Sequence, residues 1–319
     1  MKSVGIRTLT IVLLILFSSS FAVAETRVTY KSAKTSSSYY QMAVQIAEAI
    51  KAGTDGQVIV TVEESQGSVQ NVKEVMGRSG NYVFTTPPAL IKQAQEGQGK
   101  FENDNTAKYQ NVRSLFPIPS LTMHFVVRAD SGIRTFADLE GKNILIGKGS
   151  FGAREAEKYF QLFGLEGKVK LASVELGSAV QALKNRQIDG FATSGSYPAP
   201  NVVEAAAGIG INLLSLSDEQ VALTKRTRLQ IPAGTYPGVD YPVTTTSLPV
   251  IAYATTEMDE ETAYQLTKAF WGQKEKMARS NAWWGGVSPE MLDNIYGKLH
   301  PGALRYYQEK GIAVPDSIR

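Results

Sequence analysis

Five short segments of this chain carry the same chemistry. They are Thr35-Ser36-Ser37-Ser38-Tyr39-Tyr40, Gln66-Gly67-Ser68, Thr85-Thr86-Pro87, Gly147-Lys148-Gly149-Ser150-Phe151-Gly152 and Thr193-Ser194-Gly195-Ser196-Tyr197-Pro198. Each joins side-chain hydroxyls to exposed backbone donors, and several stand directly before a run that reads as a helix. Helix N-termini gather free N–H groups and partial positive charge, so such loops suit a carboxylate or another anion. One loop of this kind is an ordinary cap. Five at corresponding places in the chain make a site for a polar or anionic solute.

Other chemistries have less support. Gly147 to Gly152 fits GxGxxG, and Glu175 stands near the place of a ribose-binding acid. No second nucleotide-binding half precedes that motif, so its glycines read as backbone clearance for a small ligand, with a dinucleotide-dependent enzyme as the alternative. The nearest approach to GxSxG has Lys148 where the first glycine should be. His124 lies in an apolar strand, and His300 precedes Pro301-Gly302, where it caps or packs. Glu63 and Glu64 point to opposite faces of a strand and make no carboxylate pair. With no cysteine and two histidines, the chain offers no thiolate or histidine-rich metal site. The reading is a binding protein without catalytic residues, metal or cofactor.

Alternating short strands and amphipathic helices position these loops. Strands are expected at 27–33, 57–62 and 82–86, and helices at 39–52, at 68–77 with Ser68 as N-cap, and from Pro87 or Pro88. A second unit repeats the plan, with strands at 125–128, 143–147, 169–174 and 190–193 and helices at 152–163 and 179–185. Such βα alternation builds a mostly parallel sheet flanked by helices. The proline-bearing stretches Phe116-Pro117-Ile118-Pro119 and Ile231 to Pro242 mark the edges of the second unit. The expected architecture is α/β and two-lobed, of the periplasmic-binding-protein type, with a hinge. Residues 25–122 form lobe 1, 123–248 form lobe 2, and 249–319 return to lobe 1. Crossings fall near Leu121–Arg128 and Val243–Ala254, and ligand belongs in the cleft between the lobes. In it, Thr35, Ser38, Tyr39, Ser68, Val69, Thr85 and Thr86 face Ser150, Gly152, Ser194, Gly195 and Tyr197, while Phe151 shapes an apolar wall. Arg128 or Lys148 supplies the fixed charge for a carboxylate.

The first residues set the expected compartment. Lys2 and Arg7, an apolar run from Leu9 to Phe17 and then Ala22-Val23-Ala24 follow the order of a cleaved secretory signal peptide, Met1–Ala24. That run is too short to span a bilayer, and no cysteine follows it to carry a lipid. The protein is therefore expected in the periplasm. Losing the leader removes two basic residues and no acid, lowering the formal charge from +3 to +1. So even a balance argues against a nucleic-acid partner, which needs a concentrated basic surface.

The loops, in their order, resemble the TAXI family of TRAP-transporter solute-binding proteins over nearly the whole chain beyond residue 24. The likeness runs through Ser38-Tyr39-Tyr40, Gly67-Ser68-Val69-Gln70-Asn71, Asp130-Ser131-Gly132-Ile133, Ile188-Asp189-Gly190 and Tyr197-Pro198-Ala199-Pro200. Its most specific stretch is Ile231-Pro232-Ala233-Gly234-Thr235-Tyr236-Pro237-Gly238, and His300-Pro301-Gly302-Ala303 closes it. The chain departs from the family pattern at Ser36 and Ser37, where glycines are usual, at Thr86-Pro87, and at Phe151, where a small serine is expected. The resemblance implies a receptor for a small carboxylate, such as a dicarboxylate or glutamate, that delivers it to the membrane subunits of an ion-driven TRAP transporter. A receptor of the same shape for an ATP-driven importer or a sensor is the alternative.

Overall fold

Strand β1 (Thr26–Lys31) pairs in parallel with both of its neighbours, β2 (Val58–Glu63) and β3 (Tyr82–Thr86). The computed structural model describes residues 25–35, 37–147, 151–173 and 175–319, with Phe151 as backbone alone. The expected leader, Lys148 and Ser150 lie outside the described residues. Helix α1 (Ser38–Gly53) follows β1, α2 (Ser68–Lys73) follows β2 and α3 (Pro88–Glu96) follows β3, which is the βαβ order read from hydropathy. We call this the near wing. A short helix, α4 (Thr106–Tyr109), then leads into a strand of 17 residues, β4 (Val112–Arg128).

Beyond β4 the far wing forms. Strand β5 (Asn143–Leu145) leads to α5 (Phe151–Leu162), and β6 (Lys170–Leu171) to α6 (Ala179–Lys184). Then come β7 (Gly190–Gly195), α7 (Pro200–Ile209), β8 (Ile211–Leu213), α8 (Asp218–Thr224) and β9 (Thr227–Ile231). The chain recrosses on β10 (Val243–Thr255), and α9 (Glu260–Ser280), β11 (Lys298–Leu299) and α10 (Pro301–Glu309) pack back on the near wing. Among the described residues one sheet runs in the order β2-β1-β3-β10-β4-β7-β5-β6. Its outer strands are parallel, whereas the two long crossings pair antiparallel with each other and with β3 and β7.

The first crossing begins earlier than the sequence suggests. Phe116-Pro117-Ile118-Pro119 reads as a break, since proline cannot donate to a ladder. In the structure it lies inside β4, at a register shift where Leu121 faces Leu248 but Ile118 faces Val250. Pro119 and Ser120 thus stand against the single residue Pro249, a bulge that accommodates proline on both strands. The bulge is the junction of the wings. Its Pro119 carbonyl accepts a 2.9 Å hydrogen bond from the buried Tyr39 hydroxyl, fixing the start of α1 to the crossing.

One core runs from the near wing across the crossings to the inner face of α5, and includes Phe116 stacked on Phe270 at 4.0 Å. A second fills the other face of the far wing, beneath α6 and α7. Trp284 is wholly buried, and both Trp283 and Trp284 donate to Gln45 Oε1 on α1. His300 caps α10 through the Gly302 N–H, as its place before Pro301 suggests.

Candidate functional site between the wings

The carboxyl ends of β1, β2 and β3 are stitched together by two side chains. Asn71, wholly buried on α2, donates through Nδ2 to the carbonyls of Ser32 (2.7 Å) and Thr85 (2.9 Å). Ser65 donates to the Ser32 carbonyl and accepts from the Gly67 N–H. Gly67, not Ser68, is the N-cap of α2. Its φ of 115° lies in a region open to glycine and closed to residues with a Cβ, which moves Ser68 into the first turn. Ser37 caps α1 by accepting from the Tyr39 N–H.

A charge network backs these loops. Lys31 meets Glu63 and Glu74, and Arg78 joins the same two carboxylates. The Arg78 hydrogen bond holds the Glu63 carboxyl below its ordinary range. Burial would raise Glu74, but hydrogen bonds from Gln70, Lys31 and Arg78 outweigh it and hold that carboxyl low as well.

The far wing comes close to this edge. Ser38 at the start of α1 stands against Gly195 at the end of β7, where an added methyl group would lie 3.1 Å from Ser38 Oγ. Gly152 in the first turn of α5 sits on Ser194, whose Oγ would be 2.5 Å from a Cβ there. Beside these contacts opens a cavity of about 570 Å³, lined by Gln66, Gly67, Ser68, Val69, Gln70, Lys73 and Glu74 from the near wing and Arg154 from the far one. A smaller hollow, about 100 Å³, lies at the bulge, walled by Pro119, Ser120, Thr122, Ser196, Tyr197 and Trp283 among others.

These placements sort the expected site residues. Ser68 and Val69 line the larger cavity, Ser38 and Gly195 meet between the wings, and Gly152 and Ser194 pack at the far-wing edge. Thr35 is exposed on the adjoining turn, where its N–H donates to Glu64. Others are not brought to the cavity. Thr85 is buried and donates to the Tyr30 hydroxyl, and Thr86 is buried in the β3–β10 ladder. Tyr39 spends its hydroxyl on Pro119, and Tyr197 faces the smaller hollow. Arg128 requires correction. It ends β4 opposite Ile211, beyond the pair of Val127 with the first residue of β7, so it sits at the end of the far wing away from the junction. There it holds Asp130 and the Leu183 carbonyl. Lys148, Ser150 and the Phe151 side chain fall outside the described structure.

Arg154 is the residue that sequence reasoning passed over. It occupies the first turn of α5, where a cation opposes the helix dipole, and that unfavourable place was the available signal. The next residue, Glu155, is 6% exposed and takes two hydrogen bonds from Arg226, at 2.9 and 2.7 Å. Tyr159, a turn further on, pairs with Thr246 on β10. Helix α5 is thereby fixed to the crossing strand.

The two histidines are committed elsewhere. Burial pushes the His124 imidazole down to about 4, its Nδ1 bonds the Thr122 carbonyl, and its Nε2 accepts from Tyr236. The Tyr236 hydroxyl also accepts the Ala199 N–H, so the 231–238 stretch orders the segment after β7. His300 is buried on the Met258 carbonyl, which leaves neither imidazole beside the cavity hydroxyls.

Comparison with known proteins agrees with this frame. MatC from Rhodopseudomonas palustris, solved with bound malate, is similar with a TM-score of 0.56 at 12% identity, covering 92% of this chain and 97% of that one. The periplasmic binding protein BugD aligns with a TM-score of 0.55 at 10% identity, over 91% and 99% of the two chains. A TctC solute-binding protein from Polaromonas, solved without ligand, gives 0.50 at 14% identity, over 90% and 99%. At such identities the likeness speaks for the fold, an α/β sheet flanked by helices as in periplasmic binding proteins. The model of the NMT1-like family matches residues 31–311, nearly the whole described structure, and the chain therefore belongs to the NMT1-like family.

Proposed function

We propose that this protein is a periplasmic solute receptor of the TAXI type that closes its two wings on a small carboxylate and delivers it to an ion-driven TRAP transporter. The single observation that carries the reading is the cavity at the wing junction, with Gly67, Ser68 and Val69 on one wall and Arg154 on the other. A ligand there touches both wings, so its binding energy favours the closed arrangement, and a transporter can distinguish loaded from empty receptor. In this reading residues 25–122 and 249–319 make one lobe, residues 123–248 the other, and β4 and β10 the hinge. The solute is anionic because the cavity lining carries Lys73 and Arg154 against Glu74 alone. MatC, of similar fold, holds malate, which supports a dicarboxylate. The protein acts as a binder and not as an enzyme, in keeping with two histidines held away from the cavity.

Thermal unfolding against malate, succinate, glutamate, other amino acids and NAD tests this directly. Ligand at 100 times its Kd adds about 2.7 kcal/mol of stability, a clear rise in Tm. A rise with one or more carboxylates is expected. A rise with NAD alone would contradict the receptor reading and favour the dinucleotide loop at Gly147–Gly152. The N-terminus of the secreted protein is expected at Glu25, read by mass spectrometry of a periplasmic extract.

A further inference from the structure

We infer that Arg154 is the side chain that reads the solute's negative charge, and that it does so across the wing junction, an assignment that rests on the receptor reading above. The remaining lining residues of the larger cavity, Gln66 to Gln70, Lys73 and Glu74, all belong to the near wing. Arg154 brings the positive charge of the opposite wall. A planar guanidinium there can take a carboxylate through two parallel hydrogen bonds.

Its place is built, not incidental. Glu155 locks to Arg226, Tyr159 to Thr246 on the crossing strand, and Gly152 seats the start of α5 directly against Ser194. The helix that carries Arg154 is therefore held on three sides, and the guanidinium is delivered to the cavity by a rigid element. Arg154 itself is exposed, so exchanging it leaves the core untouched. Because Arg154 comes from one wing and Gln66 to Gln70 from the other, an anion gains its full set of contacts only when the wings meet. An uncharged analogue of the same shape gains the loop contacts and not the charge.

The test titrates wild type, Arg154→Gln and Arg154→Lys, as the full secreted chain, with L-malate, succinate, L-glutamate and succinamide by calorimetry. Each anion that wild type binds should weaken roughly tenfold or more in Arg154→Gln, the scale of a lost hydrogen bond to a charged group. Arg154→Lys should recover part of the loss, and the affinity of wild type for the anions should fall with added salt. Succinamide should bind wild type and Arg154→Gln alike. Unligated Tm values equal across the three proteins separate lost charge from lost fold. Anion affinities of Arg154→Gln within twofold of wild type would overturn the assignment while leaving the receptor standing. Failure of wild type to bind any of the anions would overturn the carboxylate receptor itself, and the assignment with it.

Discussion

At the scale of single residues, the two histidines make the pH dependence of this fold legible. Burial lowers His124 to about 4 and lowers His300 as well, so both are neutral in the folded protein near pH 7. An unfolded histidine titrates near 6.5, so between about 6.5 and 4 the unfolded chain binds more protons. The stability that the neutral rings contribute is complete above pH 6.5 and is lost as pH falls toward the folded value. For His124 the loss approaches about 3 kcal/mol by the low end of that window, at 1.36 kcal/mol per unit. Melting curves from pH 7.5 to 4.5 should show the decline, and His124→Gln, though less stable throughout, should show a shallower one. Tyr236→Phe should cost about 1–3 kcal/mol, because it leaves His124 Nε2 and the Ala199 N–H without their shared partner. Which hydroxyls would face a ligand was less legible than which loops would. Thr85 and Thr86 are the right type at a strand end, but β3 buries both, Thr85 on the Tyr30 hydroxyl and Thr86 in the ladder with β10. Arg128 looked available because a strand's two ends are equivalent in sequence, and only its pairing opposite Ile211 shows which end it occupies.

Among the elements, hydrophobic period placed most helices and strands to within a few residues, since α1, α5 and α9 each bury one face. Two exceptions have their own causes. α2 is capped by Gly67, one residue before the expected Ser68, because glycine can adopt that cap geometry, and β4 carries Pro117 in its ladder opposite Ile251 and Pro119 at a bulge. Long-range pairing of this kind leaves no local pattern. Two consequences can be measured. Arg226→Ala should destabilise by about 3–5 kcal/mol, since it strands the buried Glu155 carboxylate, whereas Glu155→Gln with Arg226→Met should cost less than Arg226→Ala alone. Denaturant midpoints compare them. Gly195→Ala should weaken solute binding several-fold, because its methyl group crowds Ser38 where the wings meet, and adding Ser38→Ala should restore part of the affinity. Equal affinity in wild type and Gly195→Ala would mean that this approach is not part of the closed state.

For the whole molecule, the order β2-β1-β3-β10-β4-β7-β5-β6 places two parallel wings on either side of two antiparallel crossings. Among the described residues, the βα loops of both wings therefore face one junction, because strand polarity turns the carboxyl ends of β1, β3 and β7 toward it. The central claim is that one solute touches both wings and draws them together. Amide hydrogen exchange, with and without the carboxylate that raises Tm most, tests it most directly. The account predicts slowed exchange together at the starts of α1 and α2 on one wing and at the start of α5 and the end of β7 on the other. Protection confined to one wing, or absent from both while Tm rises, would contradict closure around a shared ligand.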